Sequence, residues 1–156
     1  MKILLTILLV SLTILPSFAN ALNIKIVSIP VQKLLKTLGI SSLEKTLLKN
    51  SKYFSIAGKL VAQRNSTFFP HVKDALGRSN IERMKLGLAP LGKDGKAVEL
   101  HHLKQKDNGL IIELTRREHN IYSNNLHRYK QESEINRNAF NKFKKQYWKE
   151  RVKGFE

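Results

Sequence analysis

Four of the five histidines in this chain fall between residues 101 and 127: the adjacent pair His101-His102, then His119 and His127, with His71 outside the group. Imidazole ligates zinc, nickel, copper and related ions, and its unperturbed pKa near 6.5 also suits a general base at neutral pH. Neighbours on a strand point to opposite faces, so His101 and His102 cannot both ligate one ion from an ideal strand. One can face a metal while the other reaches a water beside the substrate. Hydrolysis of a phosphodiester needs that pairing, an ion that withdraws charge from the phosphate and a base that handles the attacking water. It also needs a surface that holds a polyanion.

The composition supplies such a surface. Lys and Arg number 28 against 12 Asp and Glu, a formal charge of +16. An excess of this size draws nucleic acid first and an anionic membrane second. Arg78, Arg83, Lys104 and Arg128 are candidate phosphate contacts. Cysteine is absent, which excludes disulfides, thiolate zinc sites and a cysteine nucleophile. No Gly-x-Ser-x-Gly elbow, Gly-x-x-x-x-Gly-Lys loop or dinucleotide fingerprint is present.

Punctuation around the histidines defines the elements that must position them. Ser79-x-x-Glu82 is a capping box for a short helix that stops at Gly87. Asp94-Gly95 is a turn leading into a strand, Ala97 to His101, and Asp107-Asn108-Gly109 marks a second turn before the apolar run Leu110 to Leu114. Thr115-x-x-Glu118 then opens a helix at Arg116 that carries His119 in its first turn. The order is strand, loop, strand, helix. Ser123-Asn124-Asn125 breaks the pattern before His127. A final helix is expected between Ser133 and Gly154, with Ile135, Ala139, Phe140, Phe143 and Tyr147 on one stripe and Lys and Arg from Arg137 to Lys153 on the other, a face that is either solvated or tracks phosphates.

Upstream the reading is helical. Val31, Leu34, Leu35 and Leu38, then Leu43, Leu47 and Leu48, then Ile56, Ala57, Leu60 and Val61 follow helical spacing, and Ser41-x-x-Glu44 is a further capping box after Gly39. Residues 22–73 are therefore expected to form a helical region without chemistry of its own. Lys2, the apolar run Ile3 to Leu15 and Ala19-Asn20-Ala21 read as a cleaved signal peptide over residues 1–21, too short to span a bilayer comfortably. The expectation is an exported protein, periplasmic or secreted, with no stable membrane span after cleavage. Asn65-Ser66-Thr67 is a glycosylation triplet of the kind that arises by chance.

The stretch SNIERMKLGLAPLGKDGKAVELHH followed by ELTRREHNIYSNNLH resembles the LHH group of HNH/endonuclease VII toxin nucleases, and more distantly the nuclease domains of DNase colicins. The lead-in Asn80, Arg83, Met84, Lys85, Gly87, Ala89 and Pro90, the Glu-Leu-His-His element and the later histidines carry the likeness, over about residues 77 to 153. It implies an α+β fold with a ββα-metal core at residues 74–156, flanked by helices on both sides. By the same resemblance His101, His119 and His127 are metal ligands for one divalent ion (Mg, Mn, Ni or Zn). His102 is the general base, and Glu99 positions a basic residue near the phosphate. The colicin pattern separates its last two histidines by one helical turn, whereas eight residues separate them here. Along an unbroken helix that is about 12 Å, too far for one ion, so the Ser123-Asn124-Asn125 break must fold the chain back. A toxin of this kind implies a DNA substrate and an acidic immunity protein as partner. Three other readings fit the residues: a scavenging nuclease, a basic nucleic-acid-binding module without catalysis, and a structural zinc site.

Overall fold

The computed structural model describes residues 25–26, 33, 36, 38–127 and 132–156. The expected signal peptide, the stretch holding Val31, Leu34 and Leu35, and Arg128 lie outside them. Among the described residues no helix is long and apolar enough to cross a membrane.

A five-stranded sheet forms the central layer, in the order β1 (Lys25–Ile26), β2 (Lys52–Ile56), β3 (Lys59–Gln63), β5 (Ile111–Leu114), β4 (Glu99–His102). β3 and β5 pair in parallel and the other neighbours antiparallel. Between the strands lie α1 (Ser42–Leu48) and α2 (Asn80–Lys85); after β5 come α3 (Arg116–Ile121), α4 (Ser123–Leu126) and α5 (Arg137–Arg151), and short 3-10 turns follow β4 and α5. β4, β5 and α3 are the expected strand, strand and helix. β4 begins two residues later than expected and includes His102.

Alternation along the strands splits the core into two layers. Phe54, Ile56, Val61, Leu100 and Ile111 face one side, where Phe140, Phe143, Tyr147 and Trp148 of α5 cover them. Tyr53, Ala62, Ile112 and Leu114 face the other, covered by Leu47 and Leu48 of α1 and Leu126 of α4. Burial of Phe140 and Phe143 contributes roughly 2 kcal/mol each. Both faces of β5 are covered, which is why its sequence reads as a continuous apolar run rather than an alternating one.

The upstream reading needs a correction. Ile56, Ala57, Leu60 and Val61 do not lie on a helix; they belong to a hairpin in which Ile56 pairs with Lys59 across the two-residue turn Ala57-Gly58. Both turn residues have positive φ, 48° and 76°, as a primed hairpin turn requires, although Ala is an unusual occupant there. β3 then pairs with β5 through Val61–Ile111 and Ala62–Ile112, so the region expected to be helical supplies strands to the same sheet.

The local signals were reliable. All three capping boxes form, with both reciprocal hydrogen bonds, at Ser41, Ser79 and Thr115. Gly87 ends the α2 segment at φ 76°, and a Cβ there would sit 2.6 Å from Lys145 Cγ and 2.8 Å from the Lys145 carbonyl. Asn80, fully buried, holds the loops around it through its Nδ2 to the Phe69 and Leu91 carbonyls and its Oδ1 to the Leu91 amide. The final helix is shorter than expected at its start, and Ala139 is exposed rather than on the buried stripe.

Candidate functional site

Among the described residues β4 is an edge strand, bonded only to β5. A cleft of about 690 Å³ opens along that edge, with α3 and α4 on one side and α5 on the other. Glu99 and His101 point to the α3 side. Leu100 and His102 point to the α5 side, yet both histidines line the cleft because it wraps the strand's free edge.

On the α3 side the rings of His101, His119 and His127 form a nearly equilateral triangle with centroid separations of 5.1, 5.1 and 5.3 Å. One ligand-capable nitrogen from each lies within 4.8 Å of the others. The chain achieves this by breaking the helix. Tyr122, at φ −99° and ψ 11°, separates α3 from α4, and His127 caps α4 and turns back toward His119.

The partners of these rings fix which nitrogen is free. His119 Nδ1 donates to Glu99 Oε2 at 3.0 Å, leaving the neutral ring's lone pair on Nε2, which stands 3.2 Å from His101 Nδ1. His127 Nδ1 donates to the Ser123 carbonyl at 2.9 Å, so its Nε2 is likewise free. Carboxylate and carbonyl partners of this kind orient metal-binding histidines and fix their tautomers. His101 is buried and its Nε2 has no partner among the described residues. Burial, with the neighbouring His119, His127 and His102, brings its pKa down to about 3. Burial also lowers that of His119, against the pull of Glu99. Three converging imidazoles, each with a ligand-capable nitrogen within 4.8 Å of the others, fit a divalent ion.

His102 is 2 % exposed, and neither ring nitrogen has a hydrogen-bond partner among the described residues. Its ring meets the Phe140 ring edge-on at 4.3 Å. Burial first, then the charge of Lys59, holds its pKa down to about 4, with Asp107 opposing and Arg137 adding to the depression. His102 is thus a neutral imidazole whose two nitrogens are without partners among the described residues.

Glu99 makes two contacts at once, to His119 and, through Oε1, to Arg116 Nη2 at 2.8 Å. Among the described residues it is the only acid lining the cleft, against Arg116, Arg137, Lys144 and Lys145. Sequence reasoning singled out none of those four cations, although it placed Arg137, Lys144 and Lys145 on the basic face of the final helix. The signal for Arg116 was its place directly after the Thr115 cap. For Arg137 and Lys144 it was their spacing of three and four residues from Phe140 on a helix.

The arginines that were named lie elsewhere. Arg78 holds Asp74 Oδ2 with both Nε and Nη2, at 3.0 and 2.8 Å, and Arg83 Nη1 reaches the same oxygen at 2.6 Å. These bonds, Arg78 first, hold the Asp74 carboxyl well below the usual carboxylate range. Arg83 Nε also donates to the Ala89 carbonyl. Their role is to close the loop before α2, and neither lines the cleft. Lys104, in left-handed backbone at φ 60°, sits near Gly39 and is also outside the cleft lining.

A buried polar network ties α3 and α5 to the sheet. Glu113 of β5 accepts from Tyr147 at 2.6 Å, Arg151 Nε at 2.8 Å and the Arg64 amide at 2.7 Å. Arg64 binds both oxygens of Glu118, the capping residue next to His119. Arg151 Nη2 takes up the Asn65 side-chain oxygen, so the glycosylation triplet is engaged in packing.

Residues 79–154 match the family model LHH, described as a nuclease of the HNH/ENDO VII superfamily with conserved LHH. Leu100-His101-His102 supplies that triplet, at the cleft. Over residues 79–154 the chain is similar to the LHH nuclease family. The ββα arrangement of the sheet edge and α3 agrees with an HNH-type fold. Much of the lead-in proves to be framework: Asn80, Met84 and Gly87 pack the α2 region and Arg83 ties its loop. No solved structure matches the chain.

Proposed function

We propose that this protein is an exported, metal-dependent endonuclease of the toxin or effector kind, with DNA as substrate. The observation that carries the reading is the triangle of His101, His119 and His127 on one side of the β4 edge, with the unpartnered His102 on the other side of the same cleft.

His101, His119 and His127 would hold one divalent ion, Mg, Mn, Ni or Zn. The chemistry that ion supplies is withdrawal of charge from the scissile phosphate and stabilisation of the leaving oxygen. His102 takes the proton of the attacking water: one ring nitrogen of the neutral imidazole carries its hydrogen and the other accepts. A phosphate bound beside it raises its pKa from about 4 toward neutrality, which strengthens it as a base when substrate is present. Glu99 touches no reacting atom in this scheme. It positions His119 as a ligand and aims Arg116 at the phosphate.

Three protein ligands leave open positions for water and substrate, which suits catalysis better than a closed structural site. Export through residues 1–21 would keep the nuclease from the producer's chromosome. An acidic immunity protein is the partner that complements a cleft with four cations and one acid.

The test is plasmid nicking by the purified chain after chelation, with each of the four metals restored, beside His102→Ala and with RNA as a parallel substrate. Metal-restored nicking that His102→Ala abolishes supports the reading. Binding without cleavage of either nucleic acid in any metal overturns it in favour of a binding module.

A further inference from the structure

The two walls of the cleft carry their cations differently. Arg116 on the α3 side is tied to Glu99. Arg137, at the first position of α5, is exposed, lines the cleft and has no hydrogen-bond or ion-pair partner among the described residues. Phe140 lies one turn further along the same helix, against the His102 ring. Lys144 lies one turn beyond that, its ammonium 5.3 Å from the Phe140 ring centre. Two cations thus flank, along the helix, the residue of α5 whose ring meets His102. They are about 10 Å apart along the helix axis at 1.5 Å per residue, enough to meet more than one phosphate of a strand.

Other basic positions do not share this placement. Lys145 packs its stem against Gly87, and Lys149 and Lys153 are outside the cleft lining. Arg151 is buried on Glu113. An unengaged cation facing a cleft that also holds three imidazoles is free to meet an anion without first breaking an internal bond.

We infer that Arg137 and Lys144 form a phosphate-holding wall, which lays one nucleic-acid strand across the edge of β4 with its scissile bond between His102 and the three-histidine cluster. The wall reads backbone and not bases, since it offers point charges and no side-chain acceptor apart from Asn141. This rests on the nuclease reading and adds the substrate's path to it.

The experiment uses the full chain with Arg137→Ala, Lys144→Ala, Arg137→Lys and, as a control, Lys142→Ala, an exposed lysine of the same helix outside the cleft. Binding of a fluorescent DNA duplex is measured in chelator across a salt series, and plasmid cleavage is measured with Mn. Each cleft substitution to alanine is expected to flatten the log K against log salt slope by about one, and Arg137→Ala to slow cleavage about tenfold or more. Arg137→Lys should keep the slope and lose part of the rate, while Lys142→Ala stays close to the unaltered chain. Cleft variants indistinguishable from Lys142→Ala in slope and rate overturn the inference, as does absence of salt-dependent binding by the unaltered chain. If that chain binds DNA and cleaves nothing, the nuclease reading fails, and the salt slopes still decide whether the wall exists.

Discussion

The rings of His119 and His127 stand 5.3 Å apart and perpendicular, although eight residues separate them in the chain. An unbroken helix would set them about 12 Å apart. Their adjacency depends on the backbone break at Tyr122, and the Ser123 carbonyl then orients the second ring.

His127→Ala should lower affinity for a divalent ion by tenfold or more, because outer partners of such ligands are already worth ten- to hundredfold. Isothermal titration with Mn or Zn measures this, and the far-ultraviolet circular dichroism should not change. Equal affinity in the variant would remove His127 from the site.

Glu99→Gln should weaken ion binding about ten- to hundredfold without removing a ligand, since the amide holds the His119 and Arg116 side chains less firmly. Activity should fall further than ion affinity alone explains, because Arg116 is also released. The comparison is cleavage at saturating metal against the unaltered chain; equal rates there would reduce Glu99 to an orienter of His119 alone.

The chelated protein should lose stability as pH falls below about 6.5. His101 and His102 have folded-state pKa values lowered to about 3 and about 4. Above about 6.5 both are neutral folded or unfolded and contribute no pH dependence. Below it the unfolded chain binds protons that the folded chain refuses, so stability declines through the window down to those folded values, on the order of 1 kcal/mol per pH unit for each group. Urea unfolding across that range measures the slope, and His102→Leu should remove about half of it. A flat profile between pH about 6.5 and about 5 would contradict the buried, neutral assignment.

Arg151→Ala should destabilise the fold by about 3–5 kcal/mol by leaving the Glu113 carboxylate buried without its cation. Arg151→Lys should recover only part, because one ammonium cannot serve both Glu113 and Asn65 as the fork does. Denaturant midpoints of the three proteins decide this.

What was legible in the sequence was mostly local. Ser79, Thr115 and Gly87 act on backbone groups within a few residues of themselves, so their patterns translate directly into α2, α3 and their ends. The histidine set was legible through the resemblance, but the way His127 reaches the others depends on the Tyr122 dihedrals. The hairpin was missed because Ile56, Ala57, Leu60 and Val61 satisfy helical spacing, and Ala57 gives no sign that it adopts φ 48°. Arg78 and Arg83 were taken for phosphate contacts because their engagement is a loop closure onto Asp74, which depends on how residues 74–83 fold back. The basic stripe of α5 was legible as a whole, and the position of Phe140 against His102 singles out Arg137 and Lys144 within it.

The parallel pairing of β3 with β5 sets a limit on portability. Residues 59–63 precede the segment 79–154, yet Val61 and Ala62 are fully buried partners of the strand beside the Leu-His-His triplet. A fusion carrying only residues 79–154 would open a flat, apolar strand edge at Ile111 and Ile112, a template for aggregation. Any transfer of residues 79–154 into another chain would have to take the upstream hairpin with it as cargo.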